Sequence, residues 1–462
     1  MIPASLAEFY YAAEWVIRLA MLAVVPLRRT PAAARGWLLL IFFLPVPGLL
    51  LFLAIGSPRF PQWRAARFAR LRSFFADVSR RLRAAEEVDP TSEPESARLA
   101  ERLGLLPAVG GNRVELLDRY DEAIDRLVAD IDAARAHVRI LVYIFADDRV
   151  GRRVVEALAR ACHVLVDPVG SRPWIDGTLR LLREAGVETR AALPFRLLRG
   201  RTRRDMRNHR KLFVIDGTIA YTGSQNLVAR DFRTGIVNDE LVARVSGPAV
   251  AALSSVFLAD WYLETERLLD REPAIPPPAG EAVLQALPSG ADYPLLGFQT
   301  LLTWQVGQAR EEIVIVTPYL IPDEGLLDAL GTAALRGVEV RIIVSAVVDQ
   351  WLVNLAQRSY YDELLSRGIR LYRYRRHLLH AKAVRIDDDF AVIGSSNFDI
   401  RSFQLNEEVS LLLLDHDSIA ALARIEQGYL RESTPLSLEE WRRRGLAVRL
   451  AENIARLISP LL

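Results

Sequence analysis

The chain has one cysteine, Cys162, in 462 residues. An internal disulfide and any cysteine-built zinc or iron–sulfur site are therefore excluded. Lysine is nearly missing as well: of 59 basic residues all but Lys211 and Lys382 are arginine. Net charge is scarce, at +2, which is not the strongly basic balance of a general nucleic-acid coat protein. What the chain has in quantity is apolar: 51% hydrophobic residues against 25% charged. That rules out a disordered or low-complexity chain, and the length suggests about two to four domains.

The two lysines stand out because arginine serves everywhere else. Arginine is a planar fork of donors, whereas lysine is a compact point charge on a flexible stem. Positions 208–216 read NHRKLFVID and positions 379–387 read LHAKAVRID. Both lysines thus fall in one pattern, His-x-Lys-x-x-x-x-Asp.

The N-terminus reads as membrane. Trp37 to Ile55 is 19 residues without a charge, close to the roughly 20 that cross a bilayer. Pro45, Pro47 and Gly48 predict a kink in it. Tyr10 to Leu27 is apolar too but carries Glu14 and Arg18, four apart and able to pair on one helix face; it is either a second span or an interfacial helix. No basic residue precedes the apolar run, unlike a cleaved signal peptide. Arg28, Arg29 and Arg35 lie in the connector, and a larger arginine cluster follows from Arg59 to Arg83. The positive-inside rule puts that cluster, and with two spans both termini, in the cytoplasm. Residues 59–86 mix arginines with Phe60, Trp63, Phe68, Leu71, Phe74 and Phe75. This predicts a basic amphipathic helix, lying on an anionic membrane surface or serving as a solvated linker.

The remainder is a duplication. ILVYIF, VVEALA and HVLVDPVGS at 140–171 answer IVIVTPYL, LLDALG and RIIVSAVVD at 313–349. Strands alternating with helices predict an α/β sheet in each half. The first half is shorter near Ala159–His163 and regains the length in a stretch with Arg196, Arg199, Arg201, Arg203, Arg204 and Arg207, a candidate collector of anionic headgroups or a solvated loop. Pro276, Pro277 and Pro278 divide the halves. The predicted domains are a membrane hairpin at 1–58, a juxtamembrane linker at 59–110, and lobes at 111–275 and 276–462.

On a strand, residues i and i+2 face one way. His209 then lies beside Lys211, and His380 beside Lys382, while Asp216 and Asp387 fall at hairpin turns and brace them. Twelve residues after each lysine come Gly-Ser-x-Asn sets with Ser224 and Asn226, and with Ser395 and Asn397. Small residues there allow a ligand close, and the amides add neutral donors. Glu240 and Glu408, in the repeated NDE and NEE, are candidates to hold an imidazole nitrogen and set its tautomer. If the halves face each other, two imidazoles, two ammonium groups and two amides meet around one phosphodiester. One imidazole attacks phosphorus while the other protonates the leaving oxygen, and the cations hold the non-bridging oxygens. The residues make no obvious metal cage and the chemistry calls on no cofactor. Which histidine attacks is open. His137, His163, His377 and His416 have no matching lysine and receive no role.

The doubled motif, together with TPYLIPDE at 317–324, Gly394-Ser395-Ser396-Asn397, Asp399, Arg401-Ser402-Phe403, Asn406 and Glu408, resembles the phospholipase D superfamily, and within it the bacterial cardiolipin synthases. The likeness covers nearly the whole chain and departs at Ala159–His163. It implies two pseudo-symmetric α/β/α lobes sharing one active site behind a transmembrane helical hairpin, and the positive-inside reading puts those lobes in the cytoplasm. It also implies a substrate, phosphatidylglycerol, and a reaction in which a phosphatidyl-histidine passes its lipid to a second phosphatidylglycerol and releases glycerol. His209, Lys211, Asp216, His380, Lys382 and Asp387 would be the catalytic set. Ser224, Asn226, Ser395 and Asn397 would bind phosphate. A hydrolase making phosphatidic acid would use the same residues, and a nuclease is the more distant alternative, disfavoured by the apolar N-terminus and the neutral charge.

Overall fold

A computed structural model describes residues 4–29, 31–56, 60–85, 93–158, 161–194, 205–293 and 295–458. It divides into two compact units, one of residues 1–62 and 195–206, the other of residues 63–194 and 207–462.

The first unit begins with α1 (Ala4–Arg28), α2 (Pro31–Phe43) and α3 (Pro45–Ile55). Here the structure corrects the sequence reading. The uncharged run 37–55 is not one spanning helix but two short ones, of 13 and 11 residues. Pro45 sits at the first turn of α3, where its missing N–H costs nothing, whereas the same proline within one long helix would break the ladder. The chain then turns back, since the rings of Trp37 and Phe52 meet edge to face at 5.2 Å. Gly48 lies so close to Ile41 that a Cβ there would stand 2.9 Å from the Ile41 Cα. Among the described residues, the helix long and apolar enough to cross a membrane is Glu8–Arg28, which contains the stretch read as either a second span or an interfacial helix. The two charges in its middle are accommodated: Arg18 pairs with Glu14 at 3.2 Å and donates to the Phe42 carbonyl, one of the unpaired groups ending α2.

In the second unit, α4 (Gln62–Ala85) overturns the membrane-surface reading of residues 59–86. Phe68, Leu71, Phe74, Phe75, Val78 and Leu82 are buried in the protein core, so its apolar face is already covered. Arg64 is buried too, paired with Glu264 and Asp292, each at 2.7 Å.

The two halves do not build separate sheets. Among the described residues one 15-stranded sheet runs through the unit. From one edge its strands are Glu188–Ala191, Ala161–Val166, His137–Val142, Leu212–Ile215, Ile219–Gly223, Val242–Ser246 and Val109–Leu117. It continues through Ala282–Ser289, Glu408–Leu413, Phe390–Gly394, Ala383–Ile386, Glu312–Thr317, Glu339–Ser345, Arg370–Tyr374 and Ser433–Leu436. Three strands at each end are parallel and the middle is antiparallel, with Ser433–Leu436 added antiparallel at one edge. The third parallel strand of each half, Glu188–Ala191 and Arg370–Tyr374, was not read from the repeat.

Alternation along the strands splits the apolar residues between two faces. On one face Leu141, Val314 and Val316 join α4 and the buried helix Ala249–Thr265 in a core common to both halves. On the other, Val138 and Ile140 belong to one core and Ile313 and Ile315 to another. The helix Ala249–Thr265 is apolar nearly all round, as a helix enclosed by protein must be.

Candidate active site

Each His-x-Lys segment enters just before a hairpin. In the first, Asp216 and Gly217 both take positive φ, +52° and +65°, and Thr218 N–H donates to the Ile215 carbonyl. Asp216 is not bonded to His209 or His380. Its carboxylate accepts from the amides of Arg135, Ala136 and His137 at 2.6–2.8 Å. Asp387 accepts likewise from Arg310, Glu311 and Glu312 at 2.8–2.9 Å. Both tie a hairpin to the start of the neighbouring strand, so grouping them with the catalytic residues is corrected by their position.

The segments are then cross-linked between halves. His209 N–H donates to the Glu407 carbonyl at 2.9 Å, and His380 N–H to the Asp239 carbonyl at 2.8 Å. The backbone of each histidine thus runs beside the residue preceding the other half's glutamate. The pairing crosses between the halves: Glu240 does not hold His209, nor Glu408 His380. His209 Nδ1 lies 2.9 Å from Glu408, 199 residues away, and His380 Nδ1 lies 2.8 Å from Glu240, 140 residues away.

Both imidazoles line one cavity of about 270 Å³, together with Asn226 and Asn397. Ser224 and Ser395 stand behind it. Ser224 Oγ bonds the Leu241 backbone; Ser395 Oγ donates to Glu408 and accepts from Val409 N–H. They brace the carboxylates and adjoining backbone rather than facing the cavity. Lys211 and Lys382 are buried, each donating to its own histidine's carbonyl, at 2.6 and 2.5 Å. Tyr143 packs edge-on to His209 at 4.7 Å, and the Lys211 ammonium lies 5.4 Å from the centre of the same ring.

Sequence reasoning missed Tyr143, Tyr319 and Arg233 in the cavity wall, and it gave Arg401 no role. Arg401 lay within the quoted motif. Tyr143 and Tyr319 each follow a first parallel strand, which was the available signal. Arg207 also lines the cavity, but as a buried group paired with Asp167 at 2.8 Å rather than in a basic loop. Arg196, Arg199, Arg201, Arg203 and Arg204 lie outside the described residues.

Burial dominates the electrostatics. It pushes His209 down to about 4, helped by Lys211 and Lys382 and opposed by Glu408. His380 is lowered by burial, helped by Lys382 and Lys211 and opposed by Glu240. Lys211 falls to about 7, through burial and then Lys382, and Lys382 to about 8, through burial. Burial resists the charges of Glu240 and Glu408, yet the facing histidines and lysines hold both below the usual carboxylate range. At neutral pH a neutral imidazole therefore donates Nδ1–H to an ionised glutamate, which leaves the Nε2 lone pair free. Two such rings, with lysines and arginines around them, suit a phosphate diester. Among the described residues no group of three or more His, Cys, Asp or Glu is placed to hold a metal ion.

The model of a family described as "Cardiolipin synthase, PLD-like domain" matches residues 127–261 and 302–427. The chain belongs to this cardiolipin synthase family. It is 34% identical to cardiolipin synthase A of Edwardsiella ictaluri, covering 99% of this chain and 100% of that one. It is 33% identical to cardiolipin synthase A of Erwinia tasmaniensis, covering 96% and 95%. Among solved structures, phosphatidylserine synthase of Haemophilus influenzae Rd KW20 shares the fold with TM-score 0.60 at 15% identity, over 80% of this chain and all of that one. The matched segments of the cardiolipin synthase model include both His-x-Lys motifs and both glutamates.

Proposed function

We propose that the protein is a membrane-bound phosphatidyltransferase that makes cardiolipin from two phosphatidylglycerols, the two halves acting as pseudo-symmetric lobes around one site. The observation that carries this is the crossed pair of His–Glu contacts lining a single cavity. One imidazole, with its Nδ1–H held by the opposite glutamate, attacks phosphorus through Nε2. The P–O bond to glycerol breaks, and the other histidine, which enters this step with a second proton at Nε2, supplies the proton that glycerol leaves with. The lipid remains as a phosphatidyl-histidine. The primary hydroxyl of the second phosphatidylglycerol gives its proton to the other imidazole and attacks, restoring the first. Lys211, Lys382, Asn226 and Asn397 hold the non-bridging oxygens. Ser224 and Ser395 act as positioning residues behind the glutamates. His209 is our choice of nucleophile, because Tyr143 packs against it.

Residues 1–58, 59–110, 111–275 and 276–462 remain our proposed segments, with 1–58 revised to a single span by α1 and a short α2–α3 pair that returns to the same side. Arg28, Arg29 and Arg35 then favour a cytoplasmic second unit. Labelled phosphatidylglycerol given to the reconstituted protein should yield cardiolipin and free glycerol. His209→Ala should yield neither. Phosphatidic acid as the main product would replace the synthase reading with the hydrolase.

A further inference from the structure

A soluble helix turns its leucines inward and its charges outward. The C-terminal helix Leu446–Ile458 does the reverse. Glu452, its only acidic residue, is 1% exposed and accepts from Arg358 at 2.7 Å and Arg444 at 3.1 Å. Arg456 pairs with Glu363 at 3.2 Å, and Ala455 is buried. On the far side Leu446, Leu450, Ile454 and Leu457 are 79%, 59%, 54% and 80% exposed. At about 100° per residue these four share an arc of roughly 80° opposite Glu452 and Ala455.

The inward ion pairs prevent the helix from rolling over to bury its leucines, so the apolar stripe is a settled feature of the fold. At 13 residues the helix is about 20 Å long, too short to cross a bilayer. Arg449 is the exposed charge of this helix, and the exposed Arg442 and Arg443 that precede it pair with Asp362 and with exposed Glu439. An apolar stripe with the exposed Arg449 on the same helix complements an anionic lipid surface. Against a second copy it would set like charges together. The helix is tied through Arg358 to the helix Trp351–Ser359, whose first residue, Trp351, is 71% exposed and follows Gln350 of the cavity wall.

We propose that Leu446–Ile458 is an interfacial helix that docks the two-motif unit on an anionic bilayer, a contact separate from the N-terminal span and independent of which alcohol accepts the lipid. Cys162 is buried, so Leu450→Cys or Leu457→Cys in the full-length chain provides a selectively labelled thiol. The labelled protein is placed, one copy per nanodisc, in phosphatidylcholine with phosphatidylglycerol. Doxyl groups on the lipid should quench an NBD probe at either position about twofold, and aqueous iodide should hardly reach it. A probe open to iodide and blind to doxyl lipid overturns the proposal. So does shielding that appears only with two copies per disc, together with a Leu450→Cys disulfide between chains, which would give the face to a dimer. An unchanged thermal transition shows that the labelled variants are folded.

Discussion

The two His-x-Lys segments reach equivalent positions by different means. Around His209 the neighbours are polar. Asn208 donates to Asp260 at 3.0 Å. Arg210, fully buried, bonds Asp260 at 2.6 Å, Glu407 at 2.8 Å and the Glu408 carbonyl at 2.9 Å. Around His380 the corresponding neighbours are Leu379 and Ala381, both buried in the apolar core. What the segments share is the bond from the histidine amide to the opposite half and the carboxylate waiting there. Ring placement therefore depends on the other half more than on local surroundings. The first half adds a charge network whose cost appears in its acids: burial, then Asp292, raises Glu407 to about 8.

The largest expected effect is on the histidines. His209→Ala and His380→Ala should each lower turnover by about 10³-fold or more. Only the His380 variant should retain any trapped phosphatidyl-enzyme, detected by mass spectrometry of quenched protein. Trapped lipid on His380 in the His209 variant would exchange their roles. Next come the crossed carboxylates. Glu408→Gln should disable His209 by roughly 10²–10⁴-fold through loss of its tautomer and orientation. Trapping labelled lipid should show the intermediate failing to form, whereas Glu240→Gln should slow its transfer. If each glutamate variant instead impaired the histidine of its own half, the crossed arrangement would fail.

pH tests the lysines. An ammonium whose pKa is lowered loses its charge as pH rises through the new value. With Lys211 at about 7, Lys382 at about 8 and the second proton of His380 held below its ordinary pKa, kcat/KM should fall on the alkaline side, starting below pH 7 and continuing across pH 7–8. On the acid side it should hold until His209 protonates near 4. A profile flat to pH 9 would show the lysines are not depressed in the free enzyme.

Stability separates the halves. Arg210→Met leaves buried Asp260 and Glu407 without their shared donor and should cost about 3–5 kcal/mol, read by denaturant unfolding in detergent. Ala381→Ser, at the equivalent apolar position, should cost about 1–3 kcal/mol. The smallest change should come from Asp216→Asn and Asp387→Asn. Each weakens three amide contacts, costs about 1–2 kcal/mol and leaves turnover nearly intact. A loss of activity as large as that of the histidine variants would return these aspartates to the reaction.

Much of the site was legible from residues near one another in the chain. Alternating apolar residues mark strands, Asp-Gly marks a turn, and a lysine two places from a histidine shares its face; all are local physics. The repeat located His209, His380, Glu240 and Glu408 as a set. Partner choice was not legible, because both glutamates are equally good acceptors and only the joining of two halves into one sheet brings Glu408 to His209. The serines were misread for the same reason: their environment is set by strands Val242–Ser246 and Glu408–Leu413.

Composition and spacing by themselves determined the apolar N-terminus, the duplicated strands and hairpins, and the identity of the groups available for chemistry. Tertiary structure alone decided that the halves exchange their carboxylates, that α4 spends its phenylalanines on the core, and that the longest uncharged run doubles back. Each of these depends on contacts between distant or oppositely running segments, and the energy of such contacts lies in mutual burial, which no stretch of sequence carries alone.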